Sequence, residues 1–261
     1  MAKKKVNVHK MYDKYEKNVA KRHQKKIVKY LRAQGRRISK AIITKNNDTK
    51  DDNNMTEKEA EELARKILDN SYDFEDDIKS LDALLFSMVL VSGEVGNELA
   101  NIRLFAKESD YQLFSVIDKE YTKYARKYSL VQSKLITDTT KKRTRKILAD
   151  GMLKGESYQQ ISKNIVDNVD NLSVARAQAI ASTEIHSSFM VARDIKASTA
   201  GFKEKKWMDS DDSVVRPWHK KYDDEGWVAI DYLWGGIMRF PGDPFGTARE
   251  VIRCRCEISY R

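Results

Sequence analysis

All three prolines of this chain, Pro217, Pro241 and Pro244, lie beyond residue 216. Proline breaks helices because it lacks an amide donor and its ring clashes with the preceding turn. The residues before 200 hold no proline and little glycine, so wherever apolar side chains recur at spacings of three and four they read as helix. All four tryptophans, Trp207, Trp218, Trp227 and Trp234, lie beyond residue 206. The chain therefore has two regimes, a long helical one and a short one of turns and strands.

A first helix is expected from about His9 to Ile43, with Tyr12, Tyr15, Val19, Ile27, Tyr30, Leu31, Ile38, Ala41 and Ile42 forming a ragged apolar stripe. The polar stretch KNNDTKDDNN, residues 45–54, is the best linker candidate. Thr56 with Glu59 three residues on is a capping box opening the next helix. Periodicity continues through Phe74, Ile78, Leu81, Leu85 and Met88, then Leu99, Ile102 and Phe105, then Tyr121, Tyr124 and Tyr128. Gly151 and Gly155 are placed to stop a helix. Ser157 with Gln160 starts another, carrying Ile161 and Ile165 on one face. Ser173 reads as the cap of an alanine-rich helix over 175–195, which Gly201 ends. Beyond it, FKEKKWM, EGWVAI and VIRCRCEISY read as strands, Pro217 as the start of a helical turn, and FPGDPFG, residues 240–246, as a turn cluster. The expected fold class is α+β: a mostly helical N-terminal region, then a C-terminal domain of helices packed on a small antiparallel sheet.

Charge is distributed unevenly. The net charge of +10 combines +14 over residues 1–50, −10 over residues 51–100 and +6 over residues 101–150, while the remainder balances. Fold does not explain such a basic segment; it speaks to partners and solubility. Lys3, Lys4, Lys5, Lys21, Arg22, Lys25, Lys26, Arg32, Arg36 and Arg37 are candidate contacts to DNA phosphates, of the kind made without reading sequence. The alternatives are a solvated helix face, or docking of the basic segment on the acidic one. The expected domains are a basic helical arm over 1–50, a charged helical region over 51–145 and an α+β domain over 146–261. The longest apolar run, LLFSMVLV at 84–91, is far short of the ~20 residues that cross a bilayer. MAKKKVNVHK has no apolar stretch behind its lysines and is no secretory signal. Two cysteines in this length make no disulfide framework, so folding in cytoplasm is expected.

Those cysteines, Cys254 and Cys256, stand two apart in VIRCRCEISYR, residues 251–261. On a strand, Ile252, Cys254, Cys256, Ile258 and Tyr260 share one face, with Arg253 and Arg255 on the other. Their Cα atoms would be roughly 6.6 Å apart with parallel Cβ vectors, at the edge of disulfide geometry. The main reading is two small buried apolar residues. The alternative is a zinc site completed by His219, with His186, Asp211 and Asp243 as further stock; a closed site needs four ligands.

Five motifs occur in order here. They are RAQAIASTE (176–184), Lys-x-Trp and Asp-x-x-Val-Arg-x-x-His within KKWMDSDDSVVRPWH (205–219), FPGDPFG (240–246) and the terminal Cys-Arg-Cys strand. In this order they resemble the phage Mu F-like minor head protein family, also called phage head morphogenesis proteins, over about residues 148–261. Ser182 and Arg253 stand where that family usually has arginine and asparagine, and the Asp-Gly that follows the histidine is stretched to Asp223–Gly226. The resemblance implies a virion protein inside the capsid, made in the host cytoplasm. Its implied partners are the portal, the scaffold or major capsid protein, and genomic DNA, in head assembly and genome delivery. Some bacterial relatives fuse this domain to a toxin, and none is expected here.

Glu184, Arg216 and His219 read as a structural polar network, a buried carboxylate needing a partner such as Arg216. The rival is a metal-dependent enzyme on nucleic acid or peptide, with Glu184 as base beside His219, Cys254 and Cys256; a second rival is a plain nonspecific DNA-binding protein. H-E-x-x-H, G-x-S-x-G and the C-x-x-C of the deaminases are all absent. No catalytic residue and no cofactor are therefore expected, with zinc as the alternative. The tryptophans are expected to fill a core.

Overall fold

The structure is a computed structural model that describes residues 8–46, 55–104 and 119–261, with side chains described at 18–46, 55–94 and 119–261. Lys3, Lys4, Lys5 and most of the 45–54 linker lie outside the described residues. In chain order the elements are α1 (Val8–Lys45), α2 (Glu57–Ser71), α3 (Glu75–Leu104), α4 (Lys119–Leu153), α5 (Tyr158–Thr199), β1 (Glu204–Met208), α6 (Pro217–Asp224), β2 (Trp227–Ala229), α7 (Ala248–Val251) and β3 (Glu257–Tyr260). Helices dominate, and the one sheet among the described residues is antiparallel with order β2-β1-β3. This is the α+β class expected. The chain divides into two compact units, and neither is continuous in sequence.

One unit comprises residues 24–85 and 128–177. Its core gathers Ile38 and Ile42 of α1, Ala60, Ala64 and Leu68 of α2, Leu148 and Met152 of α4, and Ile161 and Ile165 of α5. The Thr56–Glu59 capping box forms in full, each residue's side chain bonding the other's backbone N–H. At Ser157 half of the box forms. The hydroxyl accepts from the Gln160 amide at 3.3 Å, while the Gln160 side chain turns to Asn164. Asp77, buried, is a polar hub. It accepts from Gln34 Nε2 at 2.9 Å and from the Tyr72 hydroxyl at 2.8 Å, and it pairs with Arg37.

The other unit holds Gln178–Arg261, with the described residues 8–23, 86–104 and 119–127 grouped with it. Here Trp207, Trp234, Phe189, Met238 and Phe240 are fully buried. Trp207 and Trp234 meet edge to face at 5.2 Å. Trp227, at 37 % exposure, does not join them. In β1 every second residue is buried, so Lys205 shares the inner face with Trp207. Its ammonium donates to the Arg239 carbonyl at 2.9 Å, and burial pulls its pKa down to about 8.

Three local expectations need correction. Ser173 caps no helix: α5 runs unbroken from Tyr158 to Thr199, and the Ser173 hydroxyl donates to the Asp170 carbonyl inside it at 3.1 Å. Gly151 lies within α4, and the chain turns at Gly155 instead, where φ is +65°. The C-terminal strand is short. Thr247 and Glu250 form a capping box that turns Ala248–Val251 into α7, and Arg253 takes a left-handed φ of 56°, so pairing starts only at Glu257. Ile252 is consequently 46 % exposed rather than inward. The helix end at Gly201 is as expected, by a Schellman motif. Gly201 has φ +80°, its amide donates to the Ser198 carbonyl, and the Phe202 amide donates to that of Ala197.

The basic segment is thus part of the fold. Ile27, Leu31, Ile38 and Ile42 of α1 are at most 2 % exposed. Replacing Ile42 with alanine should cost about 2–5 kcal/mol in urea unfolding, whereas Lys25→Ala on the same helix should stay within about 0.5 kcal/mol. Equal, small effects would mean that α1 is not packed.

Candidate functional site

His219, Cys254 and Cys256 converge. Pro217 occupies the first turn of α6 and presets its start, with Arg216 as the extended N-cap residue. His219 follows two residues later and is 1 % exposed. Its ring packs edge to face on Trp207 at 5.0 Å and stacks on Tyr222 at 5.9 Å. The cysteines lie between α7 and β3. The Arg253 amide donates to Thr183 Oγ1 on α5 at 3.0 Å, and the Cys254 amide donates to the Val251 carbonyl at 3.0 Å. This turn aims both sulfurs inward, each residue being 3 % exposed.

His219 Nδ1 lies 3.4 Å from Cys256 Sγ and 3.8 Å from Cys254 Sγ. The three ligand atoms all lie within 4.8 Å of one another. Both thiols are free. They behave as a pair. The hydrogen bond from Cys256 draws Cys254 below the ordinary thiol range, while the same bond, aided by burial, pushes Cys256 well above it. Nε2 of His219 is buried without a hydrogen-bond partner.

Arg216 and Glu184 stand apart from this group. The Arg216 guanidinium donates to the Ile252 carbonyl at 2.5 Å, just beyond α7, rather than pairing with Glu184. Glu184, buried in α5, is not among the residues whose ligand atoms meet at the cluster. His186 and Asp243 also lie elsewhere. Asp243, fully buried, accepts from the Arg239 amide at 2.8 Å and the Phe245 amide at 3.1 Å, which locks the Pro241–Pro244 loop. Gly242 in that loop has φ +76°, and a Cβ there would meet His186 Cδ2 at 2.8 Å. The loop carbonyl of Gly242 accepts from Ser187 Oγ of α5 at 2.7 Å. Asp211 sits in an exposed turn with φ 46°.

Sequence reasoning passed over the charged residues that seat the sheet on α5. Arg193, 5 % exposed, pairs with Glu257 at 3.5 Å and donates to the Ile258 carbonyl. Asp194 accepts from the Tyr260 hydroxyl at 3.1 Å and pairs with Arg239 at 3.5 Å. Alternation along β3 puts Tyr260 inward, but nothing in the sequence names a partner for its hydroxyl. Thr247 and Glu250, by contrast, carry a readable capping spacing.

Of the candidate DNA contacts, Lys21, Arg22, Lys25 and Lys26 are exposed on α1, at positions between the buried Val19, His23 and Ile27. Lys29, also exposed, continues the spacing. The other three are engaged with acids. Arg32 and Arg36 reach Asp170 at 3.4 and 3.6 Å, and Arg37 pairs with Asp77, a member of the acidic segment.

No curated protein and no solved structure matches the chain. The family model described as Phage Mu protein F like protein matches residues 142–259. That stretch begins inside α4 and takes in α5, the sheet and the His219–Cys254–Cys256 cluster. The C-terminal part of the chain, residues 142–259, is therefore similar to the phage Mu F-like family, the one that its ordered motifs resemble.

Proposed function

We propose that this protein is a minor head protein of a tailed bacteriophage that joins the portal or procapsid during head assembly and contacts the genome through α1. The observation that carries the reading is the Mu F-like match over residues 142–259, a family of phage head proteins. The partners are then the portal, scaffold or major capsid protein, and the place of action is the capsid interior. No helix among the described residues is long and apolar enough to cross a membrane.

The action proposed is binding rather than catalysis. An enzyme built on the cluster would need Glu184 beside it and an opening for substrate. Glu184 lies outside the group of converging ligands, and all three members of that group are at most 3 % exposed. The DNA contact is narrower than composition suggests. Arg32 and Arg36 share the one carboxylate of Asp170 and Arg37 pairs with Asp77, so the exposed cations with no acid contact among the described residues, Lys21, Arg22, Lys25 and Lys26, are the first candidates for the phosphate contacts.

Two outcomes follow. Heads and procapsids purified from phage-producing cells should contain the protein in low, constant stoichiometry by quantitative mass spectrometry. Recovery only in the soluble fraction would refute the head assignment and leave the plain DNA-binding alternative. Replacing Lys21, Arg22, Lys25 and Lys26 together by glutamine should weaken binding to duplex DNA of any sequence. It should also reduce the slope of log affinity against log salt by about 3–4, at ~0.9 per phosphate neutralised. An unchanged slope would end the α1 proposal. Removing α1 outright is no test, since its other face is core.

A further inference from the structure

We propose that His219, Cys254 and Cys256 form a binding site for a thiophilic divalent cation of the zinc class, which serves as a structural clip rather than a catalytic centre. The argument starts from geometry. With metal–sulfur distances of about 2.3 Å and metal–nitrogen distances of about 2.0–2.1 Å, a tetrahedral centre holds its nitrogen and sulfur ligands roughly 3.6 Å apart. His219 Nδ1 stands 3.4 and 3.8 Å from the two sulfurs, on either side of that value. Both nitrogen–sulfur distances therefore match a tetrahedral ligand set, and the two sulfurs lie within 4.8 Å of each other.

Chemistry and charge agree with the geometry. Two thiolates and one neutral imidazole are soft ligands of the kind that select zinc over hard cations. A divalent ion with two thiolates carries no net charge, which suits a site whose three members are 1–3 % exposed. The three protein ligands leave one position for water or another small ligand, and burial closes that position to a macromolecular substrate. The ligands come from α6 and from the segment entering β3, 35 and 37 residues apart in the chain. A metal there closes that loop and couples its own binding to folding. His219 is held for the task by Trp207 and Tyr222, which fix the plane of its ring.

The test is cobalt titration of the full-length, reduced protein. One equivalent of Co²⁺ should produce a thiolate-to-metal charge-transfer band in the near ultraviolet and the intense visible bands of a tetrahedral site. Zn²⁺ should then displace both. Cys254→Ser/Cys256→Ser should abolish the charge-transfer band, and His219→Gln should weaken binding by more than the about 10–100-fold that loss of an outer-shell partner costs. Absence of the band at stoichiometric Co²⁺, or its persistence in the double serine variant, would overturn the proposal. A second measurement covers failure of the variants to fold. In wild-type protein at low urea, Zn²⁺ should slow the reaction of both thiols with a thiol reagent at least about tenfold, and equal rates with and without Zn²⁺ would overturn the site equally.

Discussion

Arg193 lies in the middle of a mostly apolar stretch of α5 and is 5 % exposed, yet it reaches two parts of β3 at once, the Glu257 carboxylate and the Ile258 carbonyl. Burying a guanidinium and a carboxylate costs several kcal/mol in lost hydration, which only good geometry and further hydrogen bonds offset. Here the Arg193 bond to the Ile258 carbonyl adds to the pair, and the neighbouring residues build further ties to the same sheet. Asp194, the next residue, takes the Tyr260 hydroxyl and Arg239, and Arg239 also reaches Asp243 at 3.6 Å. Lys205 of β1 adds its ammonium to the Arg239 carbonyl. One turn of α5 thereby anchors β3 directly, and through Arg239 it reaches β1 and the Pro241–Pro244 loop. Apolar contact alone would let a strand of four residues slide in register; a charged network with one geometry does not.

The cysteines depend on this seating. Cys256 immediately precedes Glu257, so the pair that holds Glu257 also fixes where the two sulfurs stand against His219. The Arg253 amide bonded to Thr183 gives the same segment a second tie to α5. A cluster placed by such rigid elements is preorganised for a small cation, whereas the exposed cations of α1 suit a partner that is large, polyanionic and indifferent to exact geometry. The two proposed activities thus draw on opposite physical regimes, one buried and stereospecific, the other solvated and dependent on salt.

Much of the fold could be read from the sequence. The helical stripes, the boxes at Thr56 and Ser157, the proline start of α6 and the glycine end of α5 all express local rules, and local rules act wherever the chain goes. The inward direction of Cys254, Cys256, Ile258 and Tyr260 was also legible, although the strand supposed to carry the cysteines is a turn. The errors have a common cause. Ser173 looks like a cap because serine usually is one, but inside a helix its hydroxyl can bond a carbonyl three residues back, and that use leaves no trace in spacing. Nothing in the sequence marks Lys205, Arg193 and Asp194 as buried, because what buries them is a partner far along the chain. The convergence of His219 with the cysteines was available only as one alternative among several, since nothing local connects residue 219 with 254.

The central claim is that the Arg193 anchor holds β3 and, through it, the thiol–imidazole cluster. It is tested most directly by measuring the reactivity of Cys254 and Cys256 toward a thiol reagent in Arg193→Met, a change that keeps bulk and removes charge. Loss of one partner of a buried pair should cost about 3–5 kcal/mol. The account predicts that both thiols, protected in the wild type, become reactive in the variant under conditions where α1 and α2 remain folded by hydrogen exchange. Thiols that stay as protected as in the wild type, in a variant of unchanged stability, would contradict it.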